Sequence, residues 1–251
     1  MSPPPVLSGL ALVGRQLFRR FDLSGSLSRE RPLASPFFVL TTPLPEEAGM
    51  GWETVRVGHL NLWRENKRAK KDLRKLLPLV DVLTLNEAAK HYAAIREVCE
   101  EQGFGFIHAD SSGFNARQNV ILYRQSVFQP SEVPTAVELM CEATAGTPER
   151  YMVSKRLVHA GTKRVLKVRS THMNAHVEKK SWQALPRFAQ YLWHGRNLRR
   201  SMGFSKDSPA VQLLGMDCNA NYRLRRVRLA PVFPWALLRT VGARSSYAVL
   251  G

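Results

Sequence analysis

Four polar residues stand where apolar, strand-like runs stop. Asn61 follows Val55-Arg56-Val57-Gly58-His59-Leu60, and Glu87 follows Val82-Leu83-Thr84-Leu85-Asn86. His172 follows the run from Val165 to Thr171, and Asp217 follows Val211 to Met216, with Asn219 two positions further on. Carboxylates and carboxamides offer hard oxygen atoms, and an imidazole gains or loses a proton near neutral pH. Each residue also has an ordinary alternative. Asn61 can form a turn, Glu87 can be the acid in a helix's first turn, His172 can be a surface histidine, and Asp217 with Asn219 can make a turn. Four occurrences at four separate strand ends weigh more than any one of them, because sites in layered α/β proteins assemble at strand ends.

The elements that must carry these residues follow from periodicity. Val55 to Asn61 alternates at first, as a strand does. A basic helix is predicted from about Asn66, with Ala69, Leu73, Leu76 and Leu77 on one face and Pro78 ending it. The short apolar run 80–85 suits a buried strand. A second helix is predicted from about Ala88 to Gln102, with Tyr92, Ile95 and Cys99 in phase and Gly103 as its C-terminal cap. Residues 104–108 and 118–123 read as strands, and 130–150 as a long loop. Tyr151 to His159 and Lys163 to Thr171 read as a hairpin through Ala160-Gly161-Thr162. A third helix, about 177–201, would bury Trp182, Leu185, Phe188 and Leu192, with Pro186 near its first turn. A last buried strand covers 211–215. Strands interleaved with helices, some paired as hairpins, indicate a layered α/β protein with mixed sheets.

Composition sets the outer bounds. The chain has 251 residues, 44% hydrophobic and 23% charged, which excludes disorder throughout and allows a core without disulfides. No apolar run reaches the roughly 20 residues that a membrane-spanning helix needs. Lys and Arg number 37 against 20 Asp and Glu, a net +17 that argues for a polyanionic partner, or else for a solvated basic surface. The stretch 155–200 holds twelve of the basic residues and a single acid, Glu178. Cys99, Cys141 and Cys218 form no disulfide framework and no zinc knuckle, so the expected compartment is reducing, the cytoplasm. No positive segment precedes the apolar stretch near residues 5–14, which is therefore not read as a signal peptide. Residues 1–49 hold 7 of the 15 prolines and read as a flexible leader, or as sequence upstream of a natural start at Met50. The folded domain is then expected over 50–251.

The strand-end residues lie in segments that resemble the endonuclease/exonuclease/phosphatase (DNase I-like) superfamily. Gly58-His59-Leu60-Asn61 resembles its opening strand. Asp81-Val82-Leu83-Thr84-Leu85-Asn86-Glu87 resembles its D-V-hydrophobic-x-L-Q-E strand, with Asn for Gln. Asn119-Val120-Ile121-Leu122-Tyr123 resembles N-A-hydrophobic-L-Y, Thr171-His172-Met173 resembles T-H-L, and Met216-Asp217-Cys218-Asn219 resembles G-D-F-N. The order and spacing of the segments, from about residue 54 to 240, carry the likeness. It implies a four-layered α/β sandwich of two mixed sheets with outer helices, and divalent-metal hydrolysis of a phosphate ester. By that resemblance Glu87, assisted by Asn61, holds Mg2+ or Mn2+, an ion suited to hard oxygen ligands. Asp217 orients or deprotonates the attacking water, Asn219 hydrogen-bonds the phosphate, and His172 donates to a phosphoryl oxygen. Asn119 and Arg117 are further candidates for the phosphate.

The pattern departs from the family after Asp217. The family closes with a second metal-site Asp and a Ser-Asp-His, whereas no Asp or Glu follows Asp217 and no His follows His194. The expectation is a domain incomplete at its C-terminal side, with the segment that supplies the catalytic His missing. The leading reading is a metal-dependent, nuclease-like phosphodiesterase acting on nucleic acid, with activity in doubt without that His. The alternatives are a non-catalytic basic module that binds nucleic acid on the same scaffold, a phosphatase or phospholipase type of the same superfamily, and a nonfunctional remnant. Trp63, Trp182 and Trp193 are candidates for stacking on bases. The sequence sets no oligomeric state.

Overall fold

In the computed structural model, residues 38–43, 54–109, 113–144, 147–173, 184–203 and 211–217 are described. Two five-stranded sheets form the centre. In sheet A, β1 (Phe38–Pro43), β2 (Thr54–Asn61), β3 (Val82–Asn86), β5 (Val120–Arg124) and β4 (Phe104–Ile107) lie in that order. In sheet B the order is β10 (Val211–Asp217), β9 (Val165–His172), β8 (Arg150–His159) and β6 (Phe128–Pro130), with β7 (Ala136–Cys141) also paired to β8. Each sheet contains one parallel pair, β2 with β3 and β9 with β10; the other pairings are antiparallel.

Alternating side chains make the layers. In β3, Leu83 and Leu85 pack with Leu73, Leu76, Ile95 and Val98 of α1 (Ala69–Leu76) and α2 (Tyr92–Gln102). Val82, on the opposite face, joins Val55, Val57 and Ile121 against Val153, Leu157, Val168 and Leu213 of sheet B. On the far side of sheet B, Met140 and Met152 pack with Leu198 and Met202 of α3 (Ala184–Gly203). The stack is thus α1/α2, sheet A, sheet B, α3: the four-layered sandwich of two mixed sheets expected from the sequence.

Several local readings also match. Leu77–Leu79 turns as a 3-10 helix containing Pro78, straight after α1. Gly103 closes α2 at φ 68°, a left-handed cap that lacks a Cβ penalty. At the far end of β3, Asp81 accepts from the backbone and guanidinium of Arg56 and from Arg124. Burial raises its pKa, but those bonds outweigh burial and hold the carboxyl below its ordinary range.

Three expectations are corrected. The region 130–150 is not a long loop, because β7 lies in it; a register shift between Leu139 and Cys141 breaks the period of two that would have revealed the strand. Regular structure begins before Met50, since Phe38–Pro43 pairs antiparallel with β2. The β-branched and aromatic residues of Phe-Val-Leu-Thr-Thr suit an edge strand, and Pro43 sits at its end, where a missing N–H costs little. In α3 the buried face runs through Tyr191, His194, Leu198 and Met202 rather than through Leu192. A polar His194 on the inner face disguised it. Trp182 lies outside the described residues.

Candidate active site

The two parallel pairs decide where the strand ends meet. In β2 and β3, Asn61 stands in register with Asn86; in β9 and β10, His172 stands in register with Asp217. Parallel partners end at the same sheet edge, and the packed sheets bring both pairs of ends together. Asn61 donates through Nδ2 to Glu87 Oε1 at 3.0 Å and to Asp217 Oδ2 at 2.8 Å, across a separation of 156 residues. These bonds keep the two carboxyl groups within about 6 Å of each other. His172 Nε2 lies 3.9 Å from Glu87 Oε1.

The loops after the strands are tightly held. Asn61 Oδ1 accepts from the Trp63 N–H at 2.9 Å, and Glu87 Oε2 accepts from the Arg64 N–H at 2.8 Å. The first bond fixes the Asn61 carboxamide with its NH2 toward the carboxylates, so Asn61 acts here as a clamp between them. Trp63 and Glu87 adopt φ of 56° and 55°. A left-handed backbone is unusual for a tryptophan or a glutamate and is stored where the surroundings enforce it.

Beneath the carboxylates lies a buried polar layer. Asn86, fully buried, donates to Asn119 Oδ1 at 2.8 Å and Ser170 Oγ at 3.3 Å, and accepts from the Asp217 N–H at 2.9 Å. Asn119 in turn donates to the Tyr151 carbonyl at 2.9 Å. Asn119 is thus a buried brace with both ends of its amide engaged. Arg117 stands exposed on the 3-10 turn Ala116–Gln118, its carbonyl accepting from the Tyr92 hydroxyl. Thr171 Oγ1 donates to the Tyr151 carbonyl and lies 3.0 Å from His194 Nε2. Burial drives the His172 pKa down to about 4; Arg150 lowers it further, while Asp217 and Glu87 oppose the shift. The ring is therefore neutral at pH 7, able to donate one N–H without carrying charge. Asn219 lies outside the described residues.

Arg150 escaped the sequence reading. Its charge acts on His172 and His194, and the charges of Glu87 and Asp217 act on it in return. Burial lowers its pKa, against those carboxylates. The signal was topological: Arg150 opens β8, and the start of an antiparallel strand lies at the edge where its neighbour β9 ends. Asn86 stands in the sequence only as an Asn where the family strand has Gln; its bonds reach residues far along the chain.

The donor set bears on the ion that the resemblance implies. Among the described residues no three His, Cys, Asp or Glu side chains form a ready-made cage. Two carboxylates drawn to one carboxamide nevertheless offer converging hard oxygens, which fits magnesium or manganese and their retained waters.

No family profile and no curated protein matches the sequence. Solved structures do. The human nocturnin catalytic domain, with bound sulfate, superposes with a TM-score of 0.52 at 15% identity, over 72% of this chain and 66% of that one. A mannosyl-6-phosphatase of Bacteroides thetaiotaomicron gives 0.51 at 11% identity, over 69% and 61%. An endonuclease/exonuclease/phosphatase of Bacteroides vulgatus gives 0.50 at 10%, over 67% of each chain. The chain has the DNase I-like fold. It spans about two thirds of the length of these DNase I-like proteins. Among the described residues, no helix of this DNase I-like chain is long and apolar enough to cross a membrane.

Proposed function

We propose that this protein hydrolyses phosphoester bonds with a divalent cation, Mg2+ or Mn2+, and that its substrate is nucleic acid. The observation that carries the reading is the Asn61 carboxamide joining the Glu87 and Asp217 carboxylates beside His172. Like charges gathered this closely are costly unless a cation or a developing positive centre uses them. The net charge of +17 favours a polyanion over a small ester. Two structures of the same fold bear the names of a phosphatase and an endonuclease/exonuclease/phosphatase, in keeping with phosphoester chemistry.

Glu87, steadied by Asn61 and the Arg64 N–H, would hold the ion, which when bound offsets charge on the phosphoryl oxygens. Asp217 takes the proton of the attacking water as the water oxygen bonds to phosphorus; the ester P–O bond breaks, its electron pair leaving on the ester oxygen, which takes a proton from solvent. Neutral His172 donates its N–H to a phosphoryl oxygen, and Asn219 hydrogen-bonds the phosphate. Arg150 adds positive charge where negative charge builds. Buried, free Cys99 and Cys141 have pKa values pushed by burial to about 12 and about 11. They suit a reducing interior, and we place the protein in the cytoplasm.

Cleavage of single-stranded DNA and nicking of supercoiled plasmid with magnesium, and the arrest of both by a chelator, test the reading. Glu87→Ala and Asp217→Ala should each reduce nicking by at least ~100-fold, the contribution typical of such groups. Nicking that survives both substitutions would move the site elsewhere. Salt-dependent DNA binding with no cleavage would instead favour a basic binding module.

A further inference from the structure

We propose that Trp63, next to Arg64, is a stacking platform that selects an unpaired base next to the scissile phosphate, so that the preferred substrate is single-stranded. The inference rests on the phosphoester reading above and names the substrate form for that same site.

Trp63 is 53% exposed and Phe114 46% exposed, in a protein that buries most of its described large apolar side chains. Trp63 is tied to the carboxylate pair through Asn61, and Phe114 lies under the Arg64 guanidinium. The Trp63 N–H is bound by Asn61 Oδ1, and its carbonyl accepts from the Asn66 N–H and lies 3.1 Å from His91 Nε2. The next residue, Arg64, gives its N–H to Glu87 while its guanidinium lies 5.5 Å from the centre of the Phe114 ring. The indole is therefore carried on a backbone pinned on both sides, at a left-handed φ that bulky residues rarely adopt. An exposed ring on a pinned backbone next to the proposed phosphate site is what an unpaired base meets with its π-face. Arg64 adds a cation for the neighbouring phosphate. Stacking tolerates any base but needs the base face free, which a duplex denies. Trp193, equally exposed, sits on α3 with Arg196 over its ring.

The test compares binding, with magnesium, of a single-stranded DNA oligomer and a base-free deoxyribose-phosphate oligomer of equal length and charge. The wild type should prefer the base-bearing strand by about fivefold or more, the low end of what a base on an aromatic ring contributes. Trp63→Ala should bring the ratio of the two affinities close to one, and Trp63→Phe should recover most of it. A wild-type ratio near one, or a ratio unchanged in Trp63→Ala, overturns the platform even if plasmid is nicked. A ratio that collapses in Trp63→Ala but is not recovered by Trp63→Phe also overturns it, since loop disruption then explains the loss. A normal base preference in a protein that never cleaves leaves the platform standing and sinks the hydrolytic reading.

Discussion

Asn61 and Asn86 face each other in register across β2 and β3, yet burial gives them different work. Asn61 is half-buried and its bonds end on the two carboxylates and the Trp63 N–H. Water can take over those bonds if the side chain is shortened. Asn86 is fully buried, and its amide joins β3 to Asn119, just before β5, and to β9 and β10. Truncating it strands Asn119 Oδ1 and the Asp217 N–H without water. Asn86→Ala should therefore lower unfolding free energy by about 2–3 kcal/mol, the cost of orphaned buried groups. Asn61→Ala should change stability by less than about 1 kcal/mol while cutting cleavage at least ~10-fold, because the carboxylates lose their common donor. Urea unfolding of both variants beside the nicking assay separates the roles; equal stability losses would refute the distinction.

At the scale of elements, β10 comes unusually close to sheet A. A Cβ added at Gly215 would collide with the Thr84 side chain and crowd Nδ1 of His59. The two lie 2.9 Å apart, joining β2 to β3. Gly215→Ala must push β10 outward, carrying Asp217 two residues further along. We expect a loss of about 1–3 kcal/mol, typical of overpacking, read as a lower urea midpoint. A midpoint unchanged from wild type would mean that the sheets yield freely at this point. Why some elements were legible in the sequence is visible here. β3 and α1 repeat a clean period and were read within a few residues. The strand-end polar residues stood out because apolar runs led into them. β7 was hidden by its bulge, β1 by the proline-rich stretch around it, and the inner face of α3 by a histidine. Arg150 and Asn86 matter only through pairings between strands distant in sequence, which no local pattern records. The convergence itself is of this kind, set by two parallel pairings and by which sheet faces which.

Across the whole molecule, the polar layer that supports the site also makes stability depend on pH. His59 of β2 lies between the two sheets beside Gly215, and His194 of α3 packs on the opposite face of sheet B, against Thr171. Burial lowers the His59 pKa to about 4, with His172 adding to the shift and Asp217 opposing it. Burial lowers that of His194 to about 3, helped by Arg150 and His172. In the unfolded chain both titrate near 6.5. As pH falls below 6.5, the unfolded state takes up two protons that the folded state refuses, so unfolding gains free energy. Their stabilising effect is complete above about pH 6.5 and declines as pH falls toward 4. The slope contributed by the pair approaches about 2.7 kcal/mol per pH unit, two protons' worth. Asp81, held below its ordinary range by Arg56 and Arg124, adds a loss of the same sign at still lower pH. Thermal melts between pH 7 and 4.5 should therefore show Tm falling steadily through this window. His194→Gln, which keeps a donor for Thr171 but cannot titrate, should flatten the fall by roughly a third, because His172, its pKa also lowered to about 4, titrates beside His59 in the same window. A Tm that holds level from pH 6.5 to 4.5 would show that these imidazoles accept protons inside the fold, and hence that water reaches the layer beneath the carboxylates.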